Sequence, residues 1–238
     1  LSSQVVIQYK GWIVMTIPQN TLIVKRTYDA IAEYFAPMLE VSNSSKSEVE
    51  FMDLFLAQLL PNSTIIDLGC GVGKHGHYCV SKGHHVTGYD ISEEMIKRAK
   101  KCNARYPMDF LCVADMCDIR SEALFDGVVA MYSLIHLTRE QTICTFQNLK
   151  KNLKPNAKIV VSVLMGKGER YVPEVLRPDL MQFIKYYNEE ELIELVTSLD
   201  FSVDSIRVWA DEDEITASNL DLEFGVIGLI GTWRGKTK

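Results

Sequence analysis

The sequence predicts an α/β fold, a doubly wound and mostly parallel twisted sheet with helices on both faces. Three observations carry that expectation. The stretch Thr64–Asp90 runs through a short apolar strand, a glycine-rich turn, a helix-compatible segment, a second strand (His85–Tyr89) and a terminal acid. That is the order of a nucleotide-binding βαβ unit. Further apolar runs at Phe110–Val113, Leu124–Met131 and Ile159–Leu164 alternate with helical patterns. The chain has 238 residues, 47% of them hydrophobic, which suffices for one sizeable core.

Charge and composition narrow the classes. The formal charge is −6 and the pI near 5.4, which argues against a dedicated nucleic-acid binder with a basic face. No apolar run approaches the ~20 residues that span a bilayer. The six cysteines are scattered, with no C-x-x-C spacing and no secretory leader; reduced thiols in a cytoplasmic protein are expected. The five histidines include His75, His77, His84 and His85, but no further ligands stand at metal-site spacing. No metal is expected. Oligomeric state is not legible.

The glycine turn states what kind of ligand is expected. Its glycines permit φ > 0 and let the backbone approach a ligand closely. The helix that follows points free N–H groups at an anionic group. Asp90, at the end of the second strand, can accept two hydrogen bonds from a ribose diol. Gly69-Cys70-Gly71-Val72-Gly73 reads as G-x-G-x-G, and Gly71 to Gly76 also reads as the dinucleotide pattern G-x-G-x-x-G. Asp67, just before the turn, decides between them. A carboxylate there suits a ligand that also carries a positive charge, such as the amino group of a methionine moiety, and suits a pyrophosphate poorly.

On these residues the chain resembles the class I S-adenosylmethionine-dependent methyltransferases of the small-molecule type. IDLGCGVG (Ile66–Gly73) and GYDIS (Gly88–Ser92) look like that family's first two motifs. FLCVADM (Phe110–Met116), FDGVVAMYSLIHL (Phe125–Leu137) and NLKPNAKIVVSVL (Asn152–Leu164) follow in the family's order. The resemblance covers about Tyr28 to the C-terminus. It implies a seven-stranded Rossmann-like sheet whose last two strands, Phe201–Trp209 and Gly225–Trp233, form an antiparallel pair. It also implies S-adenosyl-L-methionine as cofactor, S-adenosyl-L-homocysteine as product, and in-line methyl transfer to a small-molecule acceptor. An NPPY-like segment is missing after the fourth strand, where SLIHL stands. That counts against enzymes that methylate exocyclic or amide nitrogens through such a motif. Rival readings are a catalytically silent partner subunit, a protein or RNA methyltransferase, and a nicotinamide-dependent oxidoreductase. The last leaves Asp67, Asp115 and the terminal strand pair unexplained.

The resemblance also implies the site. Asp67, Leu68, Gly69, Cys70, Gly71 and Gly73 would line the turn, with Asp90 on the ribose and Ile91 and Met95 towards the adenine. Ala114, Asp115 and Met116 follow the third strand, where a carboxylate can accept from the adenine amine; the resemblance favours that role for Asp115 over an ordinary loop acid or helix cap. Met131 and Tyr132 end the fourth strand, and Ser133 is placed beside the acceptor. His136 is either a general base of pKa ~6.5 or a structural histidine that caps a helix or holds the Tyr132 loop.

The remaining elements are taken in chain order. Leu1–Val14 is hard to place, and Met15 could be the native start. The spacing predicts a helix over Thr21–Met38 ending at Pro37. It resembles the cover helix of small-molecule members, with Tyr28 or Tyr34 as a ligand contact through an aromatic ring or hydroxyl near a sulfonium; it reads also as a simple amphipathic cover helix. Ser45–Leu60 is read as a core-packing helix, and Ser92 as the N-cap of the next one. Thr138–Leu153 is another helix. Met165–Asp179 is a polar stretch, either a substrate-recognition insertion with Arg170 and Tyr171 reading the acceptor or a solvated loop. Leu180–Tyr187 is extended, and Asn188 with Glu191 resembles a capping box. The expected organisation is one domain: cover helices 1–60, cofactor core 61–164, substrate cap 165–187, and a C-terminal helix and strand pair 188–238.

Overall fold

The structure, a computed structural model, describes residues 8–9, 12–13, 18–39, 45–102, 107–210 and 225–235. A short antiparallel ladder, β1 (Gln8–Tyr9) and β2 (Trp12–Ile13), precedes α1 (Gln19–Ile31), a 3-10 segment (Ala32–Leu39) and α2 (Lys46–Leu56). The alternating core follows: β3 (Thr64–Leu68), α3 (Lys74–Ser81), β4 (His85–Asp90), α4 (Glu93–Cys102), β5 (Phe110–Val113), β6 (Phe125–Met131), α5 (Arg139–Leu149) and β7 (Leu153–Leu164). A hairpin of β8 (Glu169–Pro173) and β9 (Met181–Lys185) then leads to α6 (Glu189–Ser198), β10 (Phe201–Ala210) and β11 (Gly225–Trp233).

Seven strands form one sheet in the order β10-β11-β7-β6-β3-β4-β5. The pairs from β7 to β5 are parallel, and β11 is antiparallel to both β7 and β10. Strands covered on both faces read as continuous apolar runs rather than alternating ones. Ile65, Ile66 and Leu68 of β3 and Val128 to Ala130 of β6 are accordingly inaccessible to solvent. One face packs against Phe146 and Leu149 of α5 and Leu192 and Leu195 of α6. The other packs against Phe51 and Phe55 of α2, Cys79 of α3 and Ile96 of α4. Burial of each such side chain contributes about 1.5–3 kcal/mol.

The topology places the site. From β3 the chain winds outward through β4 to β5, then returns to β6 on β3's other side and continues to β7. Crossovers leave β3 and β6 in opposite directions, which opens a crevice at their carboxyl ends. Gly69 follows β3 and Tyr132 follows β6.

Several expectations are corrected. The helix over Thr21–Met38 is α-helical only to Ile31 and then tightens to 3-10 geometry. The helix expected to reach Leu60 ends at Leu56, and the one expected to reach Leu153 ends at Leu149. Strand β7 begins at Leu153, because Asn156 takes φ 63° and a register shift between Phe125 and Gly127 absorbs Lys154–Ala157. The polar stretch from Met165 is not simply a solvated loop, since a third of it, Glu169–Pro173, pairs as β8 with β9. Asn188 accepts from the Glu191 N–H as expected, but the Glu191 carboxylate pairs with Lys185 Nζ at 2.8 Å. Met15 lies outside the described residues.

Candidate active site

The glycine turn takes the left-handed conformation that its sequence allows. Gly69, Gly71 and Gly73 have φ of 68°, 53° and 93°, a region that side chains with a Cβ enter at a cost. At Gly69 the demand is also steric, because an added Cβ would stand 2.5 Å from Ser133 Cβ. The turn therefore packs directly against the residue that follows Tyr132, closing the floor of the crevice. Gly69 and Cys70 donate their N–H groups to Tyr89 O at 2.8 and 3.0 Å, and Gly73 caps α3.

Two buried carboxylates flank this turn. Asp67 is 2% exposed, and its Oδ2 has no hydrogen-bond partner among the described residues. Burial pushes its carboxyl up to about 6, with His75 and the Gly76 N–H pulling the other way and Asp90 adding to the rise. Asp90 accepts from the Gly71 N–H through Oδ2 and from the Ser92 N–H through Oδ1, both at 2.8 Å. Burial pushes it up to about 6 as well, against those donors. Ser133 Oγ is a second buried polar atom without a partner among the described residues. Leu68, Cys70 and Met131 form the apolar wall, each nearly inaccessible. Ile91 is half-buried beside Asp90.

Helix α1 roofs this arrangement. Its Ile31, with Ala32, packs against Val72 of the turn and Met95 of α4, and Tyr28 and Phe35 join that cluster. Asp29 accepts from Ser92 Oγ at 2.7 Å and from the Glu94 N–H at 3.3 Å. At its other end Asn20 Nδ2 donates to His136 O and to Gln141 Oε1. Thr27 Oγ1 donates to Met181 O of the hairpin.

His136 lies at the meeting of roof, hairpin and sheet. Its Nδ1 stands 2.9 Å from Phe183 O, which can only accept, so Nδ1 carries the proton. Nε2, 2.8 Å from Tyr28 Oη, then accepts the phenol hydrogen. Burial pushes the imidazole down to about 4, and it is neutral at pH 7. Of the other expected residues, Ala114, Asp115 and Met116 lie half-buried beyond β5. Asp115 Oδ1 caps the turn there by accepting from the Cys117 N–H at 2.8 Å. Tyr34 is 43% exposed, unlike Tyr28. Arg170 stacks over the Tyr186 ring at 4.4 Å, and Tyr171 packs on Phe183 at the hairpin.

Sequence reasoning missed Glu48, Lys74 and His75. Glu48 of α2 is buried, with Oε1 2.9 Å from His75 Nε2 and 3.3 Å from Lys74 Nζ, while Tyr132 Oη donates to its Oε2. The available signal was an acid three residues before Phe51, on the helix's own apolar stripe.

Comparison with known proteins names the domain. Residues 65–156, β3 to the start of β7, match the family described as "Methyltransferase domain". The segment from β3 to the start of β7 is therefore similar to a methyltransferase domain. The YqeM protein of Bacillus subtilis is 35% identical over 114 residues, 45% of this chain and 44% of that protein. A Streptomyces venezuelae methyltransferase named for the dTDP-3-amino-3,4,6-trideoxy-alpha-D-glucopyranose it N,N-dimethylates is 28% identical over 114 residues, 47% of each chain. The chain thus spans about half the length of the curated relatives it matches. A solved structure of the Burkholderia thailandensis 1,6-didemethyltoxoflavin-N1-methyltransferase superposes with a TM-score of 0.62 at 17% identity, covering 89% of this chain and 91% of that one. The two share their fold. Among the described residues of the domain, no three His, Cys, Asp or Glu side chains are arranged to hold a metal, and no helix is long and apolar enough to cross a membrane.

Proposed function

We propose that this chain binds S-adenosylmethionine at the β3–β6 crevice and transfers its methyl group, by in-line displacement, to a small-molecule acceptor. The observation that carries the reading is Asp67. A buried carboxylate oxygen without a partner is costly unless a ligand completes it, and it stands beneath a left-handed glycine turn that leaves room for a backbone-hugging ligand. A cationic amino group suits that oxygen, and a dinucleotide pyrophosphate does not. Asp90, turned inward by two backbone donors, keeps lone pairs for a ribose diol. Ile91, Met95, Ala114 and Met116 are the proposed adenine surroundings, with the Asp115 carboxylate as the proposed acceptor for the amine.

When bound, the cofactor supplies a methyl carbon on a positively charged sulfur. The protein's own contribution is then alignment and exclusion of water, which can supply most of such a rate. Roof helix α1 and the wall of Met131, Tyr132 and Ser133 enclose that point. His136 presents one basic lone pair, on Nε2, facing the Tyr28 hydroxyl. A hydroxyl or amine seated at the Tyr28 hydroxyl can pass its proton to the phenol oxygen as the phenol's own hydrogen moves to Nε2, while Nδ1 stays fixed on Phe183 O. We read residues 61–164 as the cofactor core and 165–187, with Arg170 and Tyr171, as the acceptor cap. Small-molecule relatives and the acidic balance support a small acceptor, and the free cysteines support a cytoplasmic setting.

Calorimetric titration with S-adenosylmethionine, S-adenosylhomocysteine and NADH tests the reading. Micromolar binding of the first two and none of the third is expected, and Asp90→Ala should abolish it. Binding of none would leave a catalytically silent subunit as the better reading.

A further inference from the structure

We propose that Glu48 is a positioning residue of the crevice: its carboxylate ties the first turn after the glycine loop to the Tyr132 wall, and so sets the gap in which the ligand sits. The inference rests on the cofactor reading above. Glu48 belongs to α2, outside the residues that match the domain family, so no motif assigns it a role. It shares the buried stripe of Phe51, Met52 and Phe55, a place where an acid is costly to keep without partners.

Its partners come from both jaws of the crevice. Lys74 and His75 directly follow Gly73, so their contacts with Oε1 at 3.3 and 2.9 Å hold the start of α3. Tyr132 directly follows β6 and takes φ 54°, a conformation that a bulky side chain keeps only where its surroundings hold it. Ser162 holds the near end, its O and Oγ accepting from the Tyr132 N–H at 3.1 and 2.9 Å. Glu48 Oε2 holds the far end by accepting from the phenol at 3.2 Å. One carboxylate therefore fixes the distance between the glycine turn and the residue facing it. Removing it frees Tyr132 to relax towards an ordinary backbone angle and widens the gap.

The test is a double-mutant cycle on the full chain, with S-adenosylhomocysteine as the calorimetric probe and a thermal melt beside each titration. Glu48→Gln and Tyr132→Phe should each weaken binding ~tenfold, and the double variant should be no more than about threefold weaker than either, since both cut one tie. Glu50→Gln, on the exposed face of the same helix, should leave affinity unchanged. Unchanged affinity with a lowered melting temperature would overturn the proposal and reduce Glu48 to pinning α2. So would a double variant whose loss is the product of the two singles. If Glu48→Gln fails to fold, Tyr132→Phe reads the same tie from its other end. A wild-type chain that binds no S-adenosylhomocysteine would overturn the cofactor reading first, and this proposal with it.

Discussion

Replacing Asp67 by asparagine should stabilise the ligand-free protein while destroying its affinity for a cationic ligand. The carboxyl rises from 3.8 to about 6, chiefly because burial disfavours the charge. Each pKa unit corresponds to ~1.4 kcal/mol, so an ionised Asp67 costs the free protein roughly 3 kcal/mol at neutral pH. Because the folded value lies above the unfolded one, the group's stabilising contribution is complete below pH ~3.8 and is lost as pH rises towards 6. Asparagine keeps the shape and drops the charge. A gain of about 1–3 kcal/mol is expected above pH 6.5, since the new amide hydrogen returns part of the difference. That corresponds to a rise in melting temperature of roughly 3–10 °C. The gain should shrink below pH 6 and vanish near pH 4. Urea unfolding at pH 4, 5, 6 and 7.5 measures it, and titration with S-adenosylmethionine should show a loss of roughly a hundredfold or more as the charged pair disappears. A variant less stable than the wild type at pH 7.5, or a gain that ignores pH, would show that Asp67 carries no uncompensated charge.

Two further outcomes follow from the same geometry. Gly69→Ala meets both a left-handed φ of 68° and Ser133 Cβ at 2.5 Å, and should lower unfolding stability by about 2–4 kcal/mol; an unchanged urea midpoint would refute the close approach. His136, held down at about 4 against 6.5 when unfolded, takes up its proton in the unfolded chain first. Wild-type stability should therefore rise with pH between about 4 and 6.5 relative to His136→Gln, by up to roughly 3 kcal/mol, and parallel pH curves for the two proteins would contradict the buried neutral imidazole.

Residues whose role is local were legible in the sequence. The three glycines need φ > 0 because of their own turn, Asp67 and Asp90 lie at the carboxyl ends of strands that apolar runs announce, and Ser92 and Asn188 each cap a backbone N–H three residues on. Boundaries failed where tertiary packing overrode local pattern, as at Asn156, whose left-handed backbone lets β7 start early. The hairpin was half legible: Leu180–Tyr187 reads as extended, but its partner strand is polar and carries no period of its own.

The chain's sequence by itself determined the parallel α/β sheet, the glycine turn and the pair of acids beside it, since strand period, backbone freedom and capping act over a few residues. Only the tertiary structure decided what His136, Tyr132 and Glu48 do. Tyr28 meets His136 across 108 positions and Tyr132 meets Glu48 across 84. Such bonds depend on how α1 and α2 settle onto the finished sheet, and no local spacing records that.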